Sequence, residues 1–245
     1  MIDPAETAAL AAIAFGGALI FGITGFGSAL VTIPLAIHLV PLQFALALFA
    51  VCDLASAVRV GFENPRNAVR SEWTRLVPMI LVGTALGVTL LVNLPREAGM
   101  LLLGLFVLAF AIFSLLPHAR ERIIAPGWAW VAGLAGGITS TVFGAGGPPY
   151  AIYLSQRGLT KEQFRATMGF ATLTSISLRA VAFLLTGLLL DPDVWLKAAA
   201  VVPASLAGIW VARRMFLRIS REALLRVVAL LLLASGISLI FRAVL

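Results

Sequence analysis

Forty-six consecutive residues between Glu6 and Asp53 carry no acidic or basic side chain. Another uncharged stretch covers 98–119, and 34 more uncharged residues lie between Arg122 and Arg157. A soluble domain is about 25% charged and roughly 45–50% apolar, whereas this chain is 12% charged and 61% hydrophobic. So few charges cannot cover a water-facing surface. Strict apolar/polar alternation of the barrel kind is absent, so the chain reads as an all-α integral membrane protein. Residues 1–6 hold Asp3 and Glu6 but no base, so they lack the charged start of a signal peptide, and the first apolar run is expected to be structural.

Cys52 is the single cysteine, and His38 and His118 belong to no ligand cluster. Neither an internal disulfide nor a metal or other cofactor is expected. His38 and Cys52 read as packing residues. The net charge of +7 would suggest nucleic acid only if the bases lined one polar face. They fall instead in short gaps between apolar runs, which favours a lipid bilayer over nucleic acid as partner.

A spanning helix needs about 20 residues. Segments near 42–62, 76–94, 98–116, 164–190, 194–212 and 224–241 qualify as ordinary spans. Two stretches remain, near 7–40 and 128–155, and each has a glycine-rich centre: GITGFGS at 22–28 and GITSTVFGAGGPP at 137–149. Glycine and proline at that density interrupt a helix, so each stretch is expected to be two short arms around an unwound centre.

Bases decide the sidedness. Those at 59–75, at Arg120 and Arg122, at 157–165 and at 213–226 make fourteen of the eighteen; Arg96, Lys197 and Arg242 fall in the other gaps, and Arg179 lies within a span. The gaps on both sides of 128–155 are basic, so that stretch starts and ends on the cytoplasmic side as a re-entrant hairpin. By the same parity the first hairpin enters from outside, and both termini lie outside. Trp73, Trp128, Trp130 and Trp195 fall at span ends as interfacial anchors; Trp210 lies deeper and reads as packing.

The two halves align. At an offset of 115, Gly22-Ile23-Thr24 matches Gly137-Ile138-Thr139, and Pro34 matches Pro149. Further on, Arg59 matches Arg179, Val77-Pro78 matches Val202-Pro203, and Arg96-Glu97-Ala98 matches Arg221-Glu222-Ala223. Residues 1–122 and 123–245 are therefore expected to form one membrane domain of two inverted repeats. Each repeat would be a broken re-entrant hairpin plus three transmembrane helices, a transporter architecture.

With GITGFGSALVTIPL at 22–35 and GAGGPPYAIYL at 144–154, the sequence resembles the TauE/SafE family of sulfite and organosulfonate exporters. That resemblance covers nearly the whole chain. It implies a bacterial cytoplasmic-membrane transporter that exports sulfite, sulfonates or related small anions, driven by an ion gradient.

Unwound helices expose backbone N–H groups, and a half-helix beginning at the break directs partial positive charge inward, which suits an oxyanion. The candidate substrate-binding residues are therefore Thr24, Gly25, Phe26, Gly27 and Ser28 in the first break. In the second they are Thr139, Ser140, Thr141, Gly144, Gly146 and Gly147. The competing use is close packing by glycine and hydroxyls bonded to their own backbone. Arg179 lies inside a span and should face the bundle interior. There it would pair with an anion, bond backbone carbonyls or snorkel outward. Arg59 holds the mirror position nearer the cytoplasm, where snorkelling is easy. Asp53 is mid-span, with Leu173 at the equivalent place. It is a candidate for a coupling proton or cation, or a partner for Arg59 at an awkward spacing.

An intramembrane enzyme would need a nucleophile with its base, paired acids or metal ligands, and none of these patterns occurs within the spans. Thr141-Val142-Phe143-Gly144 bears a faint likeness to a potassium filter strand, but a filter repeats one strand by symmetry and the equivalent 26–29 lacks it. A secondary transporter of a small sulfur-containing anion is expected, with an anion channel or a carrier of other small organic carboxylates as the alternative. Association into an oligomer stays open.

Overall fold

A computed structural model describes residues 3–115, 123–215, 233 and 236–238. Nine α-helices are described: α1 (Pro4–Thr24), α2 (Ser28–Ala36), α3 (Leu42–Gly61), α4 (Arg70–Asn93), α5 (Arg96–Leu115), α6 (Trp128–Phe143), α7 (Gly147–Ser155), α8 (Lys161–Leu185) and α9 (Pro192–Met215), with a short 3₁₀ turn at Pro65–Asn67. By length and composition α1, α3, α4, α8 and α9 can each cross a membrane. The expected span at 224–241 lies largely outside the described residues, as do His118, Arg120, Arg122, Arg218, Arg221, Arg226 and Arg242.

Both glycine-rich stretches break where expected. Asp3 caps α1 by accepting from the Ala5 N–H at 2.9 Å, with Pro4 in the first turn. The helix stops at Gly25 (φ 82°), and Gly27 (φ 91°) then redirects the chain; both angles are left-handed and strain any side-chain-bearing residue. The chain next folds back, because a Cβ on Gly17 of α1 would stand 2.2 Å from the Thr32 side chain of α2. The second hairpin repeats this: α6 stops at Gly144 (φ 73°), and α7 returns with the Tyr150 ring over Gly136, where a Cβ would stand 2.0 Å away.

One expectation needs correcting. The arms are not both short: α1 has 21 residues against nine in α2, and α6 has 16 against nine in α7. At 1.5 Å per residue α1 is about 31 Å long, enough to cross a bilayer. Gly16, Gly17 and Gly22 do not break it, and at Gly17 and Gly22 the missing side chain lets a neighbouring helix approach. Gly22 packs on Ala212 and Ile209 of α9, while Gly208 of α9 packs on the Phe15 carbonyl. In the same way α6 lies along α4, with Gly137 and Gly133 set against the carbonyls of Ile80 and Leu76. The first arm of each hairpin thus packs on a span from the other half of the chain. The last residue of α3, Gly61, packs closely against Gly169 of α8.

Ion pairs gather several helix ends together. Glu63, after α3, pairs with Arg165 of α8 at 3.1 Å and Arg213 of α9 at 3.2 Å. Glu72 of α4 pairs with Arg157 at 2.9 Å, and the Ile124 N–H donates to the Gln156 carbonyl at 3.1 Å. The α6–α7 hairpin therefore begins and finishes at the same end of the bundle. At the opposite end Glu6 of α1 pairs with Lys197 of α9.

Two packing expectations fail. Trp210 is 54% exposed, and the Arg214 guanidinium stacks on its ring at 3.5 Å. Because α9 runs on to Met215, Trp210 sits about one turn from its basic end, where its ring covers the Arg214 guanidinium instead of packing in the core. His38 is exposed, since α2 has already ended at Ala36. Cys52 is buried.

Candidate functional site

The two breaks meet. A Cβ on Gly147 would lie 2.6 Å from the Phe26 side chain, and one on Gly144 would lie 2.9 Å from Ala29 Cβ. Glycine at these places lets one hairpin tip lock into the other.

Against this junction α3 and α8 bring one charge each. Arg179, 1% exposed, places Nη2 2.9 Å from Asp53 Oδ2. Ser28, the first residue of α2, donates to Asp53 Oδ1 at 2.7 Å. Arg179 Nη1 donates to the Ser140 carbonyl of α6 at 3.1 Å. One charged pair thus ties both hairpins to both central helices. Arg179 Nε is buried with no hydrogen-bond partner among the described residues, a costly condition for a charged donor.

Beside the pair is a cavity of about 20 Å³, lined in part by Phe26, Ser28, Asp53, Ser140, Gly146, Gly147, Tyr150, Thr172 and Ser175. Tyr150 donates to Ser175 Oγ at 3.0 Å across its wall. Two helix N-termini open onto it, and they differ. The N-cap of α2 is Gly27, with no side-chain hydrogen bond, and Ser28, Ala29 and Leu30 follow with their N–H groups. In α7, Pro148 and Pro149 follow Gly147, which removes two of the N–H groups a helix start normally offers. The first break therefore presents more backbone N–H groups than the second.

The sequence candidates divide. Ser28, Phe26, Gly27, Ser140, Gly144, Gly146, Gly147, Asp53 and Arg179 converge at the junction. Thr24 is spent on the first tip: its hydroxyl donates to the Ile20 carbonyl at 2.9 Å and accepts from the Phe26 N–H at 3.2 Å. Gly25 supplies the helix stop. The Thr139 and Thr141 hydroxyls bond the carbonyls of Ala135 and Gly137 in their own helix. Arg59 is exposed on the last turn of α3, away from the junction, and Asp53 pairs with Arg179 rather than with it. Reading the sequence missed Tyr150, Thr172 and Ser175. The last two had a signal: with Arg179 they sit at i, i+3 and i+7, a polar stripe on one face of an apolar helix.

The family described as "Sulfite exporter TauE/SafE" matches residues 9–239. The chain belongs to that family. It is accordingly a membrane transporter of the sulfite/sulfonate exporter family, with apolar helices of membrane-spanning length and a small anion as the substrate class the family implies. Among curated proteins it is similar to the "Probable inner membrane transporter protein TsaS" of Comamonas testosteroni, at 26% identity over 189 residues, which covers 76% of this chain and 79% of that protein. No solved structure matches this member of the family.

Proposed function

We propose that this TauE/SafE protein is a secondary transporter that exports a small sulfur-containing oxyanion, sulfite or an organosulfonate, bound between the two hairpin tips. The observation that carries this reading is the buried Arg179 with its unpartnered Nε at the place where both breaks converge. Guanidinium, the N–H groups that begin α2 and nearby hydroxyls are the donors an oxyanion requires. The cavity, about 20 Å³, holds about one water. Loading a sulfonate therefore requires the interlocked tips to separate, and such closure suits a carrier better than an open channel.

The two halves, 1–122 and 123–245, act in this reading as inverted repeats with the site between them. The reciprocal packing of α1 on α9 and α6 on α4 supports it. The end carrying Glu63, Arg165 and Arg213 is assigned to the cytoplasm on the positive-inside rule, and both termini to the outside. Asp53 is the coupling residue.

The test is flux into and out of proteoliposomes with sulfite, thiosulfate, sulfonates and small carboxylates. Saturable flux of sulfur oxyanions that is lost in Arg179→Ala is the expected result. Preference for carboxylates would change the substrate, and ohmic single-channel currents would end the carrier reading.

A further inference from the structure

The guanidinium of Arg179 is used unevenly. Nη1 is anchored on the Ser140 carbonyl, Nη2 is held by Asp53, and Nε has no partner among the described residues. Nε and Nη2 together form the edge of a guanidinium that grips an oxyanion with two parallel hydrogen bonds. Asp53 thus occupies half of that edge and leaves the other half empty-handed.

Building on the anion site proposed above, we infer that Asp53 and the transported anion alternate on the Nε–Nη2 edge of Arg179, so that each monovalent anion is carried with one proton on Asp53. With Asp53 ionised, Arg179 is already neutralised, and an entering anion would leave the buried junction with a net negative charge beside a carboxylate. Protonating Asp53 removes that conflict. One proton is taken from water onto a carboxylate oxygen, no other bond forms, and Nη2 is released to the anion. Ser28 then reverses its role: a protonated Asp53 donates to Ser28 Oγ, and the hydroxyl hydrogen turns toward the cavity.

The neighbouring groups leave this exchange to Asp53. Facing it are Ser28 of α2 and Arg179 of α8. Ser205 of α9 bonds Ser56 instead, Tyr150 of α7 is held by Ser175, and Cys52 is buried on the same helix. The charges of α1 and α9 that bear on α3, Glu6, Lys197 and Arg213, are paired at the bundle ends. A monovalent anion then crosses as an electroneutral pair. An inward proton gradient opposes its exit, and export runs on the anion's own gradient.

The linkage is reciprocal, so anion binding must raise proton binding by the same factor that protonation raises anion affinity. The experiment is titration calorimetry of the purified full-length protein with methanesulfonate and thiosulfate, both fully ionised at every pH used, in buffers of different ionisation enthalpy. Expected are uptake of about one proton per methanesulfonate and an affinity falling about tenfold per pH unit on the alkaline limb. In Asp53→Asn, binding should persist without proton uptake and without pH dependence. Binding to the wild type with no proton uptake overturns the inference while leaving the anion site standing, and this measurement decides even if the variant does not fold. Failure of both anions to bind overturns the anion site itself.

Discussion

Arg179 Nη2 stands 2.9 Å from Asp53 Oδ2, a buried ion pair between residues 126 positions apart in the chain. Ser28 on the same carboxylate and the Ser140 carbonyl on the same guanidinium extend the pair into a four-element junction. A buried charge is tolerable here because its partners are complete on the acid and nearly complete on the base.

Removing either charge alone should cost stability as well as transport. Arg179→Ala leaves the Asp53 carboxylate buried and unpaired, a loss of about 3–5 kcal/mol, and transport should disappear. Asp53→Asn with Arg179→Gln should recover much of the thermal stability and none of the transport. Melting of the detergent-solubilised variants beside proteoliposome flux separates the two effects. Full transport by Arg179→Ala would remove that residue from the site.

Gly144 combines φ 73° with Arg179 Nη1 only 3.0 Å from where a Cβ would be. Gly144→Ala should lower stability by about 1–2 kcal/mol from backbone strain alone and should reduce flux by pushing the guanidinium aside. Gly25→Ala carries similar strain with no described heavy atom within 4 Å of its Cβ position, so it should lose stability with a smaller effect on flux.

Tyr150→Phe keeps the ring against Gly136 and removes the hydrogen bond to Ser175. Its fold should be retained within about 1.5 kcal/mol. A changed KM with an unchanged melting temperature would place the hydroxyl in substrate contact; unchanged kinetics would restrict it to the wall.

The Glu72 carboxylate, nearly buried, accepts from Arg157, Arg75 and the Tyr153 hydroxyl. Glu72→Gln should destabilise by about 1.5–3 kcal/mol, as loss of charged hydrogen bonds does. Arg75→Ala, which removes only the exposed i, i+3 pair, should cost under about 1 kcal/mol. Equal melting losses in the two variants would contradict a central role for Arg157 in that cluster.

Reporter fusions in the loops at 62–69 and 156–160 should register as cytoplasmic, with both termini outside. A cytoplasmic C-terminus would refute the parity from which the inverted repeat is argued.

Much was legible from the chain alone, and the reason is its solvent. In hydrocarbon every backbone group must be satisfied within a helix, so uncharged length reports helices directly; α3 runs over Leu42–Gly61 where 42–62 was expected. Glycine-rich breaks read equally well, because left-handed φ at Gly25, Gly27 and Gly144 is a local constraint. Family membership followed from those same motifs, and Asp53 and Arg179 stood out singly because ionisable residues inside a span are expensive.

What the sequence by itself determined was a helical membrane protein, its two breaks, and two costly charges inside its spans, Asp53 and Arg179. Only the tertiary structure decided the pairing: Asp53 with Arg179 instead of Arg59, Ser28 on the free carboxylate oxygen, and Tyr150 with Ser175 across the cavity. Spacing along one helix cannot reveal partners on another. Those contacts depend on the approach of α3 to α8 at Gly61 and Gly169 and on the interlocking of two hairpin tips, and both are set by close packing between segments far apart in the chain.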